Sequence, residues 1–214
     1  MPVNGDDRHS GARRTQASRS AATRAALLDA GRRLFAEHGY AGAGREEIVE
    51  LAGVTRGALQ HHFGRKQELF LAVVEELEAE LGGRIMEAAT QAAGDPMEEL
   101  VLGCRAFLDA ATDVAFRRIV LLDAPAVLGW QAWRELDARF GLGLVTMALD
   151  AAMEAGQVER QPVDPLAHML LAALNEGAML VAQADDQAAA RAEVGAAVDN
   201  FLGNLRNART QPPL

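Results

Sequence analysis

Serine and cysteine are scarce in this sequence of 214 residues. The three serines, Ser10, Ser18 and Ser20, all lie in the first twenty residues, so the rest of the chain has no serine nucleophile. The single cysteine, Cys104, excludes an internal disulfide and a cysteine-based metal cluster. Because Cys104 lies on an apolar stripe, we interpret it as a small core residue and not as a nucleophile.

The sequence also lacks the common motifs of catalysis and cofactor binding. It contains neither a phosphate loop of the G-x-x-x-x-G-K type nor an H-E-x-x-H motif, and the GLG run at residues 141–143 has no third glycine. His61 and His62 are adjacent, so they diverge on a helix and do not chelate one metal ion. We therefore expect no enzyme activity, no catalytic residue, no cofactor and no metal.

Aromatic residues make up only 5% of the chain, although 50% of the residues are hydrophobic. Runs of β-branched residues with period-two alternation are missing, so the composition predicts an all-α fold. The longest apolar region, residues 166–182, is interrupted by polar residues, which favours a buried helix over a membrane span. No N-terminal stretch resembles a signal peptide. We expect a cytoplasmic protein with no membrane partner.

Charge is unevenly placed along the chain, whose net charge is −9. Residues 1–67 hold 11 Arg and Lys against 7 Asp and Glu, which gives +4, and residues 68–214 hold 10 against 23, which gives −13. A basic N-terminal part next to an acidic body fits DNA contact at one end of the chain. A basic terminus that is merely solvated remains the alternative.

The apolar periodicity divides the chain into four parts. We expect a disordered basic arm at residues 1–19, a three-helix unit at 20–64, a helical body at 65–209 and a flexible tail at 210–214. A long amphipathic helix is expected to begin near Lys66 and to connect the unit to the body.

Residues 45–64 hold the pattern of a helix-turn-helix. Ile48, Val49 and Ala52 form one apolar face of a first helix, and Gly53 can take the positive φ that ends it. Thr55 is placed as the N-cap of a second helix that runs from about Arg56 to His62. The outward positions of this second helix are well suited to meet DNA in the major groove: Thr55, Arg56, Gly57, Gln60 and His61.

The last two long helices combine large and small apolar residues. Small residues let helix axes approach closely, so two such helices from each of two chains can form a four-helix bundle. This pattern predicts a homodimer, whose interface residues we expect to be Leu170, Ala173, Leu174, Gly177, Val198, Phe201 and Leu205. The alternative is that both faces pack only on their own body.

Residues 39–70, which include the helix-turn-helix, resemble the TetR-type transcriptional regulators. The resemblance rests on Gly39-Tyr40, on the AGVTRGAL run at residues 52–59, on His61-His62-Phe63, on Lys66 and on Leu69-Phe70. It implies an N-terminal helix-turn-helix DNA-binding domain joined to a larger helical domain for effector binding and dimerisation. Residues 121–140 and the closing helix pair are similar to bodies found in one branch of the family.

The resemblance also implies roles for single residues. Arg45 and Lys66 would hold phosphates of double-stranded operator DNA. Thr55, Arg56, Gly57 and His61 would lie in the major groove or on its walls, and Arg56 is the candidate for reading guanine, because a guanidinium binds O6 and N7 together. His62 would pack or contact phosphate, and Phe63 would lie in the core.

Residues 39–70 depart from the family pattern in three places. Ala43 and Gly44 stand where Thr or Ser is usual, although Gly44 can still act as a cap. Gln60 replaces a tyrosine, and an amide there suits adenine. Arg65 stands where a Ser or Asn cap is common. These departures put the operator sequence in doubt, but not the fold.

The expected mechanism is repression that a small, largely apolar effector relieves by shifting the helix from Lys66 to Leu81. The opposite effect of the effector, promotion of DNA binding, stays open. Candidate effector contacts are Met86, Phe107, Arg117, Trp130, Trp133, Met147, His168 and Asn175. The alternative function is a helical dimeric interaction protein whose DNA binding is weakened or altered.

Overall fold

Every regular element in the described part of the chain is a helix. The computed structural model describes residues 7–206, with side chains from residue 16 onward. The α-helices are α1 (Asp7–Gly42), α2 (Arg45–Leu51), α3 (Arg56–His62), α4 (Lys66–Ala89), α5 (Pro96–Ala110), α6 (Ala124–Leu128), α7 (Trp130–Asp137), α8 (Gly143–Glu154), α9 (Val163–Gln183) and α10 (Gln187–Leu205). A 3₁₀ turn covers Thr90–Ala92, and π-helical segments cover Phe116–Asp123 and Ala138–Leu142. The prediction of an all-α fold is confirmed.

The N-terminal arm differs from the expectation. α1 begins at Asp7, so residues 7–19 are helical where the sequence led us to expect disorder. Alanine and arginine make up ten of the fifteen residues 12–26, and both favour a helix. The expected flexible tail at residues 210–214 lies outside the described residues.

Gly39 interrupts α1 near its C-terminal end. Its φ of 71° and ψ of 171° are not helical, and the Ala43 N–H then donates to the Gly39 carbonyl at 3.1 Å. A positive φ costs glycine little and other residues more, so glycine suits this break in the helix.

The chain divides into two compact units between Val73 and Val74. We expected the boundary between residues 64 and 65. The first turns of α4 belong instead to the first unit, because Leu69 and Phe70 are fully buried there. Phe70 packs edge-on against Phe35 of α1, with ring centroids 5.1 Å apart.

Lys66 joins the end of α1 to the beginning of α4. Its Nζ donates to the carbonyls of Tyr40 at 2.7 Å and Ala43 at 3.0 Å, and it lies 4.4 Å from the centre of the Tyr40 ring. The last carbonyls of a helix have no partner within it, so the ammonium satisfies acceptors that α1 leaves open. Tyr40 also packs against Phe35 and Phe70.

α9 is the central helix of the second unit. It packs against α5, α8 and α10. By length and composition α9 could cross a membrane, but 56% of its most apolar window is buried in the protein. That burial fits the predicted core helix.

Three of the predicted dimer residues belong to this core. Leu170 is 1% exposed and Leu174 is 2% exposed, and Gly177 is buried under α10. A Cβ added at Gly177 would lie 2.7 Å from Cγ1 of Val194, so the glycine permits the close approach of the two helices. The dimer prediction is corrected for these three residues, because their surfaces are already covered by their own chain.

Replacing Lys66 with Met should destabilise the end of α1. Lys66→Met leaves the carbonyls of Tyr40 and Ala43 without their donor, which should cost about 1–3 kcal/mol locally. Hydrogen exchange of the amides in residues 40–48 should accelerate accordingly. Arg65→Met, which removes the adjacent exposed cation, is the matched control and should leave these rates unchanged; equal acceleration in both variants would refute the role of Lys66.

Candidate nucleic-acid interface and ligand cavity

The turn between α2 and α3 is fixed by local hydrogen bonds. The Gly44 N–H donates to Oε2 of Glu47 at 2.9 Å, so a side chain three residues into α2 caps the glycine that begins it. Gly53 has a φ of 63°. Thr55 is the N-cap of α3, and its Oγ1 accepts from the Ala58 N–H at 3.1 Å. The predicted caps and turn are confirmed.

The two short helices bury one side and expose the other. Ile48 and Leu59 are at most 1% exposed, and Phe63 is also buried. The outward residues of α3 that the sequence indicated are all exposed, namely Thr55, Arg56, Gly57, Gln60 and His61. A Cβ at Gly57 would meet only Oγ1 of Thr55, at 3.7 Å, so another molecule can approach the backbone closely at this point.

Arg45 braces the helix-turn-helix from within. Its Nη1 donates to the Gly64 carbonyl at 3.2 Å, and its Nη2 donates to Oε1 of Gln60 at 3.1 Å. Arg45 is therefore half-buried between the beginning of α2 and the end of α3. The departure from the family pattern at Gln60 supplies the acceptor for this brace.

Arg56 is paired with an acid that the sequence reading missed. Its Nη2 lies 2.7 Å from Oε1 of Glu46, and both side chains are more than 60% exposed. Arg45, Glu46, Arg56, Gly57 and Gln60 line one cleft. The pairing joins α2 to α3, and no local sequence signal reports such a contact.

The expected phosphate ligand Lys66 is partly engaged inside its own unit. Two of its three N–H donors can be accounted for by the carbonyls of Tyr40 and Ala43. Lys66 thus stabilises the fold of its own unit, and its contact with a DNA phosphate stays a prediction.

The second unit contains an apolar cavity of ≈ 160 Å³ that is partly open to solvent, with Met86 and Met147 exposed at its rim. α4, α5, α8, α9 and the π-helical segment Ala138–Leu142 contribute its walls. Three predicted effector contacts, Met86, Phe107 and Met147, line it. The sequence reading missed the other lining residues, which are Ile85, Ala89, Glu99, Leu100, Gly103, Cys104, Gly141, Leu144, Val145, Ala148, Ala151, Leu171 and Leu174.

The other five predicted effector contacts lie elsewhere. Trp133 is buried and its Nε1 donates to the Val120 carbonyl at 3.1 Å, while Trp130 is 64% exposed. Arg117 lies half-buried in the π-helical segment Phe116–Asp123, and His168 is exposed on α9. Asn175 is buried, and its side chain is engaged in a hydrogen bond to Asp137. Three of the eight candidate effector contacts therefore line this cavity, and five lie outside it.

Two buried carboxyl groups face each other in the second unit. Nδ2 of Asn175 donates to Oδ2 of Asp137 at 2.7 Å, and Asp137 and Glu78 are 4% and 6% exposed. Burial, aided by the charge of Asp137, raises the pKa of Glu78 to about 8. Burial also raises the pKa of Asp137, against the hydrogen bond from Asn175 and the charge of Arg134.

The single cysteine, Cys104, is a buried and unreactive thiol. Burial, and secondarily the charge of Asp199, raises the pKa of Cys104 to about 12. A protonated buried thiol acts as a small apolar wall of the cavity, in agreement with the core role expected for it. In the part of the chain that the structure describes, no group of three His, Cys, Asp or Glu side chains could hold a metal ion.

Glu78→Gln should stabilise the protein in a pH-dependent manner. The pKa of Glu78 in the folded state, about 8, lies above its ordinary value of 4.5. The contribution of Glu78 to the free energy of unfolding is therefore fully present below pH 4.5 and is lost as the pH rises to about 8. Glutamine mimics the protonated acid. Its advantage should grow by roughly 1.4 kcal/mol per pH unit in this window, as an upper limit.

Urea unfolding at pH 5 and pH 8.5 measures this difference. Glu76→Gln, which changes an exposed acid of the same helix, is the control. A stabilisation by Glu78→Gln of the same size at both pH values would contradict a raised pKa.

Two sequence profiles match this chain. Residues 27–73 match "Bacterial regulatory proteins, tetR family", and residues 97–205 match "Tetracyclin repressor-like, C-terminal domain". The first match ends at the residue where the first structural unit ends.

Relatives and solved structures agree with these matches. The transcriptional repressor AcnR of Corynebacterium efficiens is 45% identical over 65 residues, which cover 30% of this chain and 35% of AcnR. The A-factor receptor protein of Streptomyces griseus is 28% identical over 177 residues, 78% of this chain and 58% of that protein. The matched region thus spans about a third of the length of AcnR.

A crystal structure extends the similarity to the whole described fold. A TetR-family transcriptional regulator from Pectobacterium atrosepticum superposes with a TM-score of 0.79 at 33% identity, covering 92% of this chain and 98% of that one. These relatives are regulators and not enzymes. With both of its units matched and a full-length structural relative at this identity, the chain belongs to the TetR family of bacterial regulatory proteins.

Proposed function

We propose that this protein is a cytoplasmic transcriptional repressor that binds double-stranded operator DNA as a homodimer and is released by a small, largely apolar effector. The observation that carries the proposal is the exposed face of α3. Its side chains and the open backbone at Gly57 suit a recognition helix, and Thr55 caps that helix at the end expected to enter the groove.

A homodimer supplies two such helices. The face of α9 and α10 that the chain leaves uncovered carries large apolar side chains: Met169 is 65% exposed, Leu180 56% and Phe201 39%. Ala173 and Glu176 are exposed between Met169 and Leu180, and Glu176 is the charged residue of this stripe. Val198 and Leu205 are half-buried at its edge. An exposed apolar patch of this kind suits a second copy of the chain, because two helices from each copy complete a four-helix bundle.

Effector release depends on α4. This helix carries Lys66 at its first residue and Ile85 and Met86 at the wall of the cavity. A ligand that favours a shifted α4 changes the separation of the two recognition helices, which must match the spacing of operator half-sites. Coupling of this kind is typically worth ~1–3 kcal/mol in operator affinity.

In vitro selection from a randomised duplex pool tests the DNA-binding part of the proposal. The protein should enrich duplexes with two related half-sites at moderate salt. Failure to enrich any duplex would refute the repressor function and leave a helical dimeric interaction protein as the better description. The selected duplex is then the probe for the two experiments that follow.

Arg56→Ala should weaken specific binding by roughly 1–3 kcal/mol, because a bidentate contact to guanine is lost. Binding to random DNA should fall much less, because the contact to guanine is not made there. Arg56 must also leave Glu46 in order to reach a base. Mobility shifts with the selected and a scrambled duplex measure both. Arg84→Ala, which removes an exposed cation of the second unit, should change neither; equal losses of Arg56→Ala on both duplexes would rule out base reading.

Leu180→Glu should convert the dimer into monomers. It places a charge on the exposed face of α9, where a second copy would have to desolvate it. Sedimentation velocity measures the association state, and operator affinity should fall with it. Val114→Glu puts the same charge on an apolar residue that is 59% exposed outside α9 and α10, and should leave the dimer intact. A dimeric Leu180→Glu protein would contradict the proposed interface.

A further inference from the structure

The cavity of the second unit is small. Its ≈ 160 Å³ is close to that of a dry apolar cavity of roughly 150 Å³ that binds benzene in another protein. Phe107, Leu100 and Leu171 present apolar surfaces to it, and Gly141 and Ala148 keep its walls thin. A body of one six-membered ring fills such a space, whereas fused rings or long acyl chains exceed its volume.

The charge of the cavity is one-sided. Among its sixteen lining residues, Glu99 is the single charged one, and Arg, Lys and His are missing from the set. Within the described residues, the Glu99 carboxylate has no hydrogen bond or ion pair of its own. An anionic ligand would therefore enter without a counter-charge and beside a like charge, which is unfavourable at an apolar site. A cation or a strong hydrogen-bond donor would find an acceptor.

The remaining polar group does not change this balance. Cys104 contributes a protonated thiol, which is a weak donor and a weak acceptor. It neither attracts an anion nor competes with Glu99 for a cation. Size and charge together therefore define a ligand with two parts, a compact apolar body and a donor at one end.

We propose that this cavity binds a single-ring primary amine, with the ring among the apolar side chains and the ammonium donating to Glu99, and that it rejects carboxylates of the same size. The inference rests on the proposed effector role for its biological meaning, but not for the binding itself. It makes Glu99 the residue that determines which effector class is accepted.

Three probes of similar size separate the contributions. 2-Phenylethylamine carries the ammonium, ethylbenzene carries the ring alone, and phenylacetate carries the opposite charge. Isothermal titration of the full chain without DNA should give the tightest binding for the amine and none for phenylacetate. A charge-assisted hydrogen bond should make the amine bind about tenfold or more tightly than ethylbenzene.

Glu99→Gln should remove the advantage of the amine and leave ethylbenzene binding unchanged. Glu98→Gln alters the adjacent acid of α5, which does not line the cavity, and should preserve the wild-type order. Ala148→Met and Ala148→Phe fill the cavity in two steps, so both should weaken the amine and ethylbenzene together. Circular dichroism and thermal unfolding verify that each variant is folded.

The outcomes separate this inference from the repressor proposal. Phenylacetate binding as tightly as the amine, an unchanged preference in Glu99→Gln, or failure of all three probes to bind would overturn the inference, whatever the protein does with DNA. Amine binding that depends on Glu99 supports it. If the bound amine then leaves operator affinity unchanged, the effector mechanism fails while the assignment of the cavity stands.

Discussion

The ammonium of Lys66 is the contact on which the geometry of the first unit depends. It is the only lysine of the chain, and it satisfies two carbonyls at the end of α1 while it lies on the ring of Tyr40. α2 begins two residues after Ala43, and α4 begins at Lys66 itself. The Lys66 ammonium thus fixes the end of α1, the segment between α1 and α2, and the start of α4.

The exposed face of α2 and α3, which we propose to contact DNA, is held by its own charges. Arg45 donates to Gln60 and to the Gly64 carbonyl, and Arg56 pairs with Glu46. Exposed pairs such as the second are worth little by themselves, so exchanging Glu46 for DNA costs little. Glu46 nevertheless sets a negative charge beside Arg56. If Arg56 reads a base as proposed, this charge would lower its attraction to any phosphate backbone, while a correctly placed guanine could still compete.

The sequence predicted the features that depend on neighbours along the chain. Positive φ at Gly53, the Thr55 cap and the outward residues of α3 all follow from local rules. Contacts between distant residues could not be read in this way: α7 and α9 bring Asp137 to Asn175, and the packing of four helices determines which side chains reach the cavity. Trp133 illustrates the limit, because its size suggested a pocket, whereas its Nε1 already has a backbone partner. The last two helices were read correctly as apolar, but periodicity alone could not divide their residues between core and exposed face.

The buried carboxyl pair and the cavity act on the same helix. Glu78 and Met86 both belong to α4, two turns apart, and one is buried beside Asp137 while the other lines the cavity. A movement of α4 that exposes Glu78 lets this acid ionise above its ordinary pKa of 4.5, so rising pH favours the movement up to about pH 8. A ligand in the cavity acts on the position of α4 only through its preference for one arrangement of the walls. Above pH 4.5 the burial of Glu78 would therefore lower, through the protonation free energy, the cost that a ligand favouring this movement has to offset.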